Sequence, residues 1–304
     1  MIQVKSPLSN KHNTTVEAEI LVKSIIENYK QDCGIDVSEY FKGLSYIHIY
    51  KCLDSNYKFY FPFHISGKDS LYEKLQKNNG YYQLRLEHKI AESFFKADSS
   101  ILEIGCGNGF FLEELQRTRK ILCTGLEFNQ DAVRAGQSKG LNILAEDISN
   151  YSTQHYEEYD IVCSFQVLEH VVEVHDFIQA ALDSLKVGGK FIIGVPNNNP
   201  YLYKYDMYHT LNLPPHHMGL WDVDSLDNLQ DIFRIEVDRI LVEPLQVHDY
   251  EYFLKLQSKH SGLFLRLISK IILNMMPYII RGKIQDIFSN FYQGRNILAI
   301  YTKI

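Results

Sequence analysis

Between residues 101 and 196 short apolar runs alternate with stretches of helical spacing, and nothing else in the chain constrains its fold as tightly. The runs lie at 101–105, 121–128, 141–145, 159–165 and 190–196, each the length of a buried strand. Helical patterns occupy most of the gaps, at 109–118, 129–139 and 173–186, and another, 82–96, precedes the first run. Strands that alternate with helices at this spacing form a parallel sheet covered on both faces. The expected core is a doubly wound α/β domain.

The first strand runs into Glu103-Ile-Gly-Cys-Gly-Asn-Gly109, which then opens a helix. Glycines there permit a sharp turn and let a ligand touch the backbone. A dinucleotide fingerprint reads G-x-G-x-x-G, because a pyrophosphate needs one more residue before the helix N-terminus. Here the spacing is G-x-G-x-G, which argues against a nicotinamide-dependent oxidoreductase and suits a nucleoside without phosphates. Glu127 ends the second strand, where a carboxylate can accept hydrogen bonds from both ribose hydroxyls. Asp147 follows the third strand, placed to meet the exocyclic amine of an adenine. Either acid alone reads as a solvated loop residue. Together, at successive strand ends beside a glycine turn, they read as a nucleoside site.

Five segments in this order resemble class I S-adenosylmethionine-dependent methyltransferases: Glu103-x-Gly-Cys-Gly-x-Gly109, Gly125-Leu-Glu127, Tyr159-Asp-Ile-Val162, Gln166-Val-Leu-Glu-His-Val171 and Leu185-Lys-Val-Gly-Gly-Lys190. The resemblance spans about residues 80–245. It implies S-adenosyl-L-methionine as cofactor and a Rossmann-like sheet of seven strands. The last of these runs antiparallel, with a hairpin partner at 234–243. It also implies that Glu103, Gly105, Cys106, Gly107 and Gly109 form the cofactor turn, Gly105 and Gly107 along the methionine part. Glu127, with Phe128 beside it, should hold the ribose and Asp147 the adenine amine. Ile148 should pack on the adenine face, and Gln166 should sit beside the methionine end. Tyr81 and Tyr82 precede the first core helix, a position from which related enzymes cover that end. They could equally pack between the N-terminal piece and the main domain.

Among such enzymes the Val-Leu-Glu-His element is frequent in small-molecule members, including quinone methyltransferases. Pro214-Pro-His-His-Met-Gly-Leu-Trp221 resembles bacterial enzymes of surface-polysaccharide or natural-product pathways. The expected acceptor is therefore a small molecule or glycan intermediate, methylated on oxygen. The alternatives are a catalytically inactive S-adenosylmethionine-binding protein or regulator, and a methyltransferase acting on a protein or lipid-linked acceptor. A hydroxyl acceptor needs a base, and histidine titrates near neutrality. His170 follows the fourth strand, and His209, His216 and His217 lie in the loop after the fifth, over the same sheet edge. His217 is the first candidate for base or acceptor-binding group, followed by His170 and His216. In an extended segment His216 and His217 would diverge, one inward and the other outward. The pair could instead bond loop backbone and shape a lid. Asn197 is close enough to donate to an acceptor. Catechol-type enzymes hold their metal with carboxylates and an asparagine at strand ends, a set not evident here, so no metal is expected.

Residues 1–79 form an N-terminal extension with an aromatic β-hairpin, Tyr46–Tyr50 against Tyr57–Phe63. Residues 80–304 form the main domain, with a helical insertion at about 246–295 before a final strand at 296–304. Cys33 and Cys52 in the extension are too few for a zinc site without His48 or His64. Within the insertion, 262–283 is apolar, and 254–285 carries six basic residues and no acid. Such a helix can rest on an anionic membrane, or bury its apolar side on the sheet edge or in a homodimer. The 31 basic residues against 37 acidic ones give a net charge of −6, which disfavours a nucleic-acid partner. The start lacks the apolar stretch of a secretory signal, no apolar run reaches spanning length, and the five cysteines show no pairing pattern. A soluble, cytoplasmic, reduced protein is expected.

Overall fold

The computed structural model describes residues 4–76, 86–119, 121, 123–198, 209–246, 249–260, 262, 266–268 and 292–304. In chain order the elements begin with β1 (Thr14–Leu21), α1 (Val22–Asn28), β2 (Tyr46–Cys52), β3 (Lys58–Phe61) and α2 (Asp69–Gln76). Next come α3 (Leu86–Glu92), β4 (Ile101–Ile104), α4 (Phe110–Arg119), β5 (Cys123–Leu126), α5 (Gln130–Ser138), β6 (Asn142–Leu144) and α6 (Ile148–Tyr151). The chain continues through β7 (Tyr159–Phe165), α7 (Val174–Ser184), β8 (Leu185–Pro196), β9 (Gly219–Leu220) and α8 (Val223–Asp227). It ends with β10 (Ile235–Pro244), α9 (Tyr250–His260) and β11 (Gln293–Lys303).

The main sheet has seven strands in the order β10-β11-β8-β7-β4-β5-β6. β6, β5, β4, β7 and β8 are parallel, and β11 runs antiparallel to both β8 and β10. This is the Rossmann-like sheet expected, with the final strand reversed. Its strands bury both faces. Leu102, Ile104, Val162, Phe191 and Ile193 enter one core, while Ile101, Ile161, Cys163 and Ile192 enter another. That period of two across a central sheet is why these runs look continuously apolar in sequence.

A second sheet takes the order β1-β2-β3-β9. The expected aromatic hairpin is β2 and β3, paired from His48↔Phe61 to Lys51↔Lys58. β9, from the loop after β8, pairs with β3 through Lys58↔Leu220 and Phe59↔Gly219. One face of this sheet buries Ile47, Ile49 and Tyr60 with α1 residues Val22 and Ile25. The other face sends Tyr50, Tyr57 and Phe59 into the same core as the main sheet, where the Tyr57 ring lies 4.4 Å from Trp221. Of the apolar basic stretch 262–283, all but 262 and 266–268 lies outside the described residues. Among the described residues no helix is long and apolar enough to cross a membrane.

Candidate active site

The glycine turn follows β4 and is held from beneath by β5. Gly105 and Cys106 N–H groups both donate to the Leu126 carbonyl, at 2.8 and 3.1 Å. Gly105 has φ +75°, and a Cβ there would overlap Val167, so no other residue suits that position. Glu127 clamps the turn: one carboxylate oxygen accepts from Gly107 N–H and the other from Asn129 N–H, each at 2.8 Å. Each oxygen keeps a second lone pair for a ligand. Asp147 caps α6 by accepting from Ser149 N–H at 2.7 Å, and Ile148 is buried beside it. Glu103 is buried under the turn, and its Oε2 has no hydrogen-bond partner. Burial, and then the charge of Glu127, push its carboxyl up to about 8.

Glu103, Gly105, Glu127, Asp147 and Ile148 border one cavity of about 1000 Å³ beyond the C-terminal ends of β4, β5, β6 and β7. Gly107 and Gly109 do not border it, and a Cβ on Gly109 would meet Leu141 and Ile143 instead. Cys106 and Phe128 border it too, and Phe128 is 64% exposed. Gln166, at the end of β7, adopts φ +57°, an unusual conformation for a residue with a side chain. Its N–H donates to the Gly194 carbonyl at 2.7 Å. Its side-chain amide donates to Glu87 Oε2 at 3.3 Å and Asn296 Oδ1 at 3.2 Å, which fixes its direction.

The three candidate histidines meet on another part of the cavity wall. Ring centroids are 4.6 Å apart for His170 and His216, 5.0 Å for His170 and His217, and 4.5 Å for the stacked His216 and His217. Residues 214–216 form a turn instead of an extended segment, and His216 and His217 N–H both donate to the Leu213 carbonyl. The turn overrides the expected alternation, so both rings border the cavity. In each ring Nδ1 faces an oxygen: His216 O at 2.7 Å from His170, Leu211 O at 2.9 Å from His216, and Asn212 Oδ1 at 3.1 Å from His217. A carbonyl only accepts, so Nδ1 carries the hydrogen in His170 and His216, as it does in His217 when it donates to the Asn212 oxygen. The lone pair is then on Nε2. His216 Nε2 is buried without a partner, which costs about 1–3 kcal/mol when nothing fills the site.

Burial holds all three imidazoles neutral. His170 is lowered to about 4, against the pull of the His216 and Gln166 carbonyls. His216 is lowered to about 3 by burial and by His170, and His217 well below its ordinary value by burial and its neighbours His216 and His170. Glu169, with its side chain 1% exposed, brings Oε1 to 3.8 Å from His170 Nε2.

Some site residues have no sequence signal. Tyr72 of α2 places its ring against His170 at 5.3 Å and borders the cavity with Phe63 and Gly67. Glu169 sits inside a recognisable motif, yet its burial depends on loop 209–221, whose Met218 and Gly219 N–H groups bond its carbonyl. Asn197 does not reach the cavity. Its amide donates to the Gly294 carbonyl at 3.1 Å, because β8 ends against the start of β11. Tyr81 and Tyr82 lie outside the described residues.

A doubly wound sheet with its cavity at the C-terminal strand ends, floored by a glycine turn and strand-end acids, defines an α/β protein built to bind a nucleoside cofactor. A family profile described as a methyltransferase domain matches residues 78–234. The chain belongs to the S-adenosylmethionine-dependent methyltransferase family. It is 26% identical over 122 residues to the ubiquinone biosynthesis O-methyltransferase of Yersinia pestis, covering 38% of this chain and 50% of that one. The chain thus spans about half the length of the curated relatives it matches. Solved structures with a similar fold include S-adenosylmethionine-dependent methyltransferases from two archaea. That from Archaeoglobus fulgidus is 18% identical, with a TM-score of 0.48 over 71% of this chain and 90% of that one. That from Methanosarcina mazei is 19% identical, with a TM-score of 0.47 over 73% and 99%. The cavity suits the family's cofactor on its own terms: the buried, orphaned Glu103 oxygen can accept from the ammonium of a methionine moiety.

Proposed function

We propose that this chain methylates a hydroxyl oxygen of a small molecule or glycan intermediate. The observation that carries this reading is a single cavity bordered by both the glycine turn and three buried, neutral imidazoles. Its volume, about 1000 Å³, is at the top of the usual range for small-ligand pockets, about 300–1000 Å³. When bound, S-adenosylmethionine supplies a methyl group on a sulfonium, already activated for displacement.

The chain's own tasks are to align the acceptor and to deal with its proton. In this reading Glu127 and Asp147 hold the ribose and adenine edges, while Ile148 and Phe128 offer apolar surface to the base. Gly105 and Cys106 bring backbone close to the methionine part, Gly107 and Gly109 shape the turn that carries them, and Glu103 faces its ammonium. Gln166, locked by Glu87 and Asn296, orients the reacting end. His170, His216 and His217 meet the acceptor hydroxyl. His170 is the accessible member, with 17% of its side chain exposed, so it replaces His217 as the first contact. The matched relatives are named O-methyltransferases, which supports an oxygen acceptor.

The test begins with calorimetric titration of the purified chain with S-adenosylhomocysteine, using NAD as control. Micromolar binding of the first alone is expected. S-adenosylhomocysteine should then form from S-adenosylmethionine only when phenols or sugar hydroxyls are added. Failure to bind would remove the cofactor reading, and transfer confined to carbon or nitrogen acceptors would remove the oxygen one.

A further inference from the structure

The arrangement of the three imidazoles suits a role beyond contact with an acceptor hydroxyl. One ring nitrogen from each of His170, His216 and His217 lies within 4.8 Å of one from each of the others. Every Nδ1 faces a backbone or amide oxygen, the outer-shell arrangement that orients metal-binding histidines and leaves Nε2 to ligate. His216 Nε2, buried without a hydrogen-bond partner, is an independent sign of a missing ligand.

We infer that His170, His216 and His217 form a three-imidazole site for a divalent transition ion of the zinc class, facing the acceptor part of the cavity. Imidazole nitrogens select zinc, iron, nickel or copper over magnesium. In a tetrahedral zinc site with bonds of about 2.0–2.1 Å, ligand nitrogens stand about 3.3 Å apart, so the rings draw together from their present spacing when an ion binds. Three protein ligands leave a fourth position open, as in zinc sites that act on substrates. The neighbouring Glu169 carboxylate supplies compensating charge. An ion there lowers the pKa of a hydroxyl bound to it, whose proton leaves to water. The site thus deepens the reading of an oxygen acceptor and rests on it for its role, though not for its existence.

The test uses the full chain, without a polyhistidine tag, stripped by chelator and then given Zn²⁺, Co²⁺ or Mg²⁺. One equivalent of Zn²⁺ per chain should survive gel filtration, Mg²⁺ should not be retained, and Co²⁺ should give the intense visible band of a four-coordinate ion. Wild-type protein that retains no Zn²⁺ and shows only the weak band of hydrated Co²⁺ overturns the proposal. His216→Ala and His170→Gln should each lower Zn²⁺ affinity at least tenfold, and unchanged affinity in either overturns it as well. S-adenosylhomocysteine is titrated into the same samples. Zinc without cofactor binding would sink the methyltransferase reading alone, and cofactor binding without zinc would sink the metal site alone.

Discussion

Glu127 has a structural role and a proposed binding role, which two substitutions can weigh against each other. It clamps the turn through Gly107 and Asn129, and in the proposed reading its remaining lone pairs hold the ribose. Glu127→Ala should weaken S-adenosylhomocysteine binding more than tenfold, about 1.4 kcal/mol or more, while Glu127→Gln, which keeps one oxygen, should lose less. Calorimetry reads both, and unchanged affinity in the alanine variant would show that the carboxylate serves the turn alone. Glu127 and Asp147 were legible in sequence because β4, β5 and β6 are neighbours in the sheet, so successive strand ends become adjacent walls. Glu87 was not. An acid in a helical run reads as solvent-facing, and its burial depends on Gly194, where a Cβ would crowd its carboxyl, and on the left-handed Gln166.

At the scale of elements, the N-terminal region anchors the loop from 209 to 221. Tyr29 of the segment after α1 donates its hydroxyl to the Leu213 carbonyl at 2.8 Å, and Tyr60 of β3 donates to the Asn212 carbonyl at 3.0 Å. Replacing both with phenylalanine leaves two buried carbonyls without these donors, about 1–3 kcal/mol each. Amide exchange in 212–220 should quicken in that double variant while β4, β7 and β8 stay protected and cofactor affinity holds. Uniform exchange across the whole chain would show that the tyrosines support the fold and not the loop. Sequence periodicity revealed the hairpin but missed β1, an edge strand whose residues are mostly exposed and which therefore carries little apolar signal. It also missed β9, since two residues have no period. Without β9 the histidine loop cannot be placed, which is why the three rings read as alternatives and not as a cluster.

For the whole molecule, buried titratable groups set a stability optimum. An unfolded imidazole takes up its proton near pH 6.5, whereas native His170 and His216 stay neutral to about 4 and 3. Between those limits the unfolded state binds more protons, so metal-free protein loses stability as the pH falls, by up to about 1.4 kcal/mol per unit for each ring. Glu103 acts with the opposite sign. Its native carboxyl keeps a proton up to about 8, while the unfolded group ionises near 4.3, so stability declines as the pH rises between them. Below 6.5 the histidines outnumber the single acid, and above it only the acid remains. Tm measured from pH 4.5 to 8.5 in chelator should peak near 6.5–7. A Tm that is flat or rising from pH 6.5 down to 5 would mean the rings are not buried as neutral groups.

The pairing of β9 with β3 has a consequence for how such a protein can diversify. The wall proposed to face the acceptor is assembled from two stretches about 150 residues apart, one carrying Tyr72 and the other His216 and His217. A recombination event that exchanged either stretch alone would join mismatched halves. On the proposed reading acceptor preference is inherited as a linked pair, and a chimera meant to move it between relatives has to carry both.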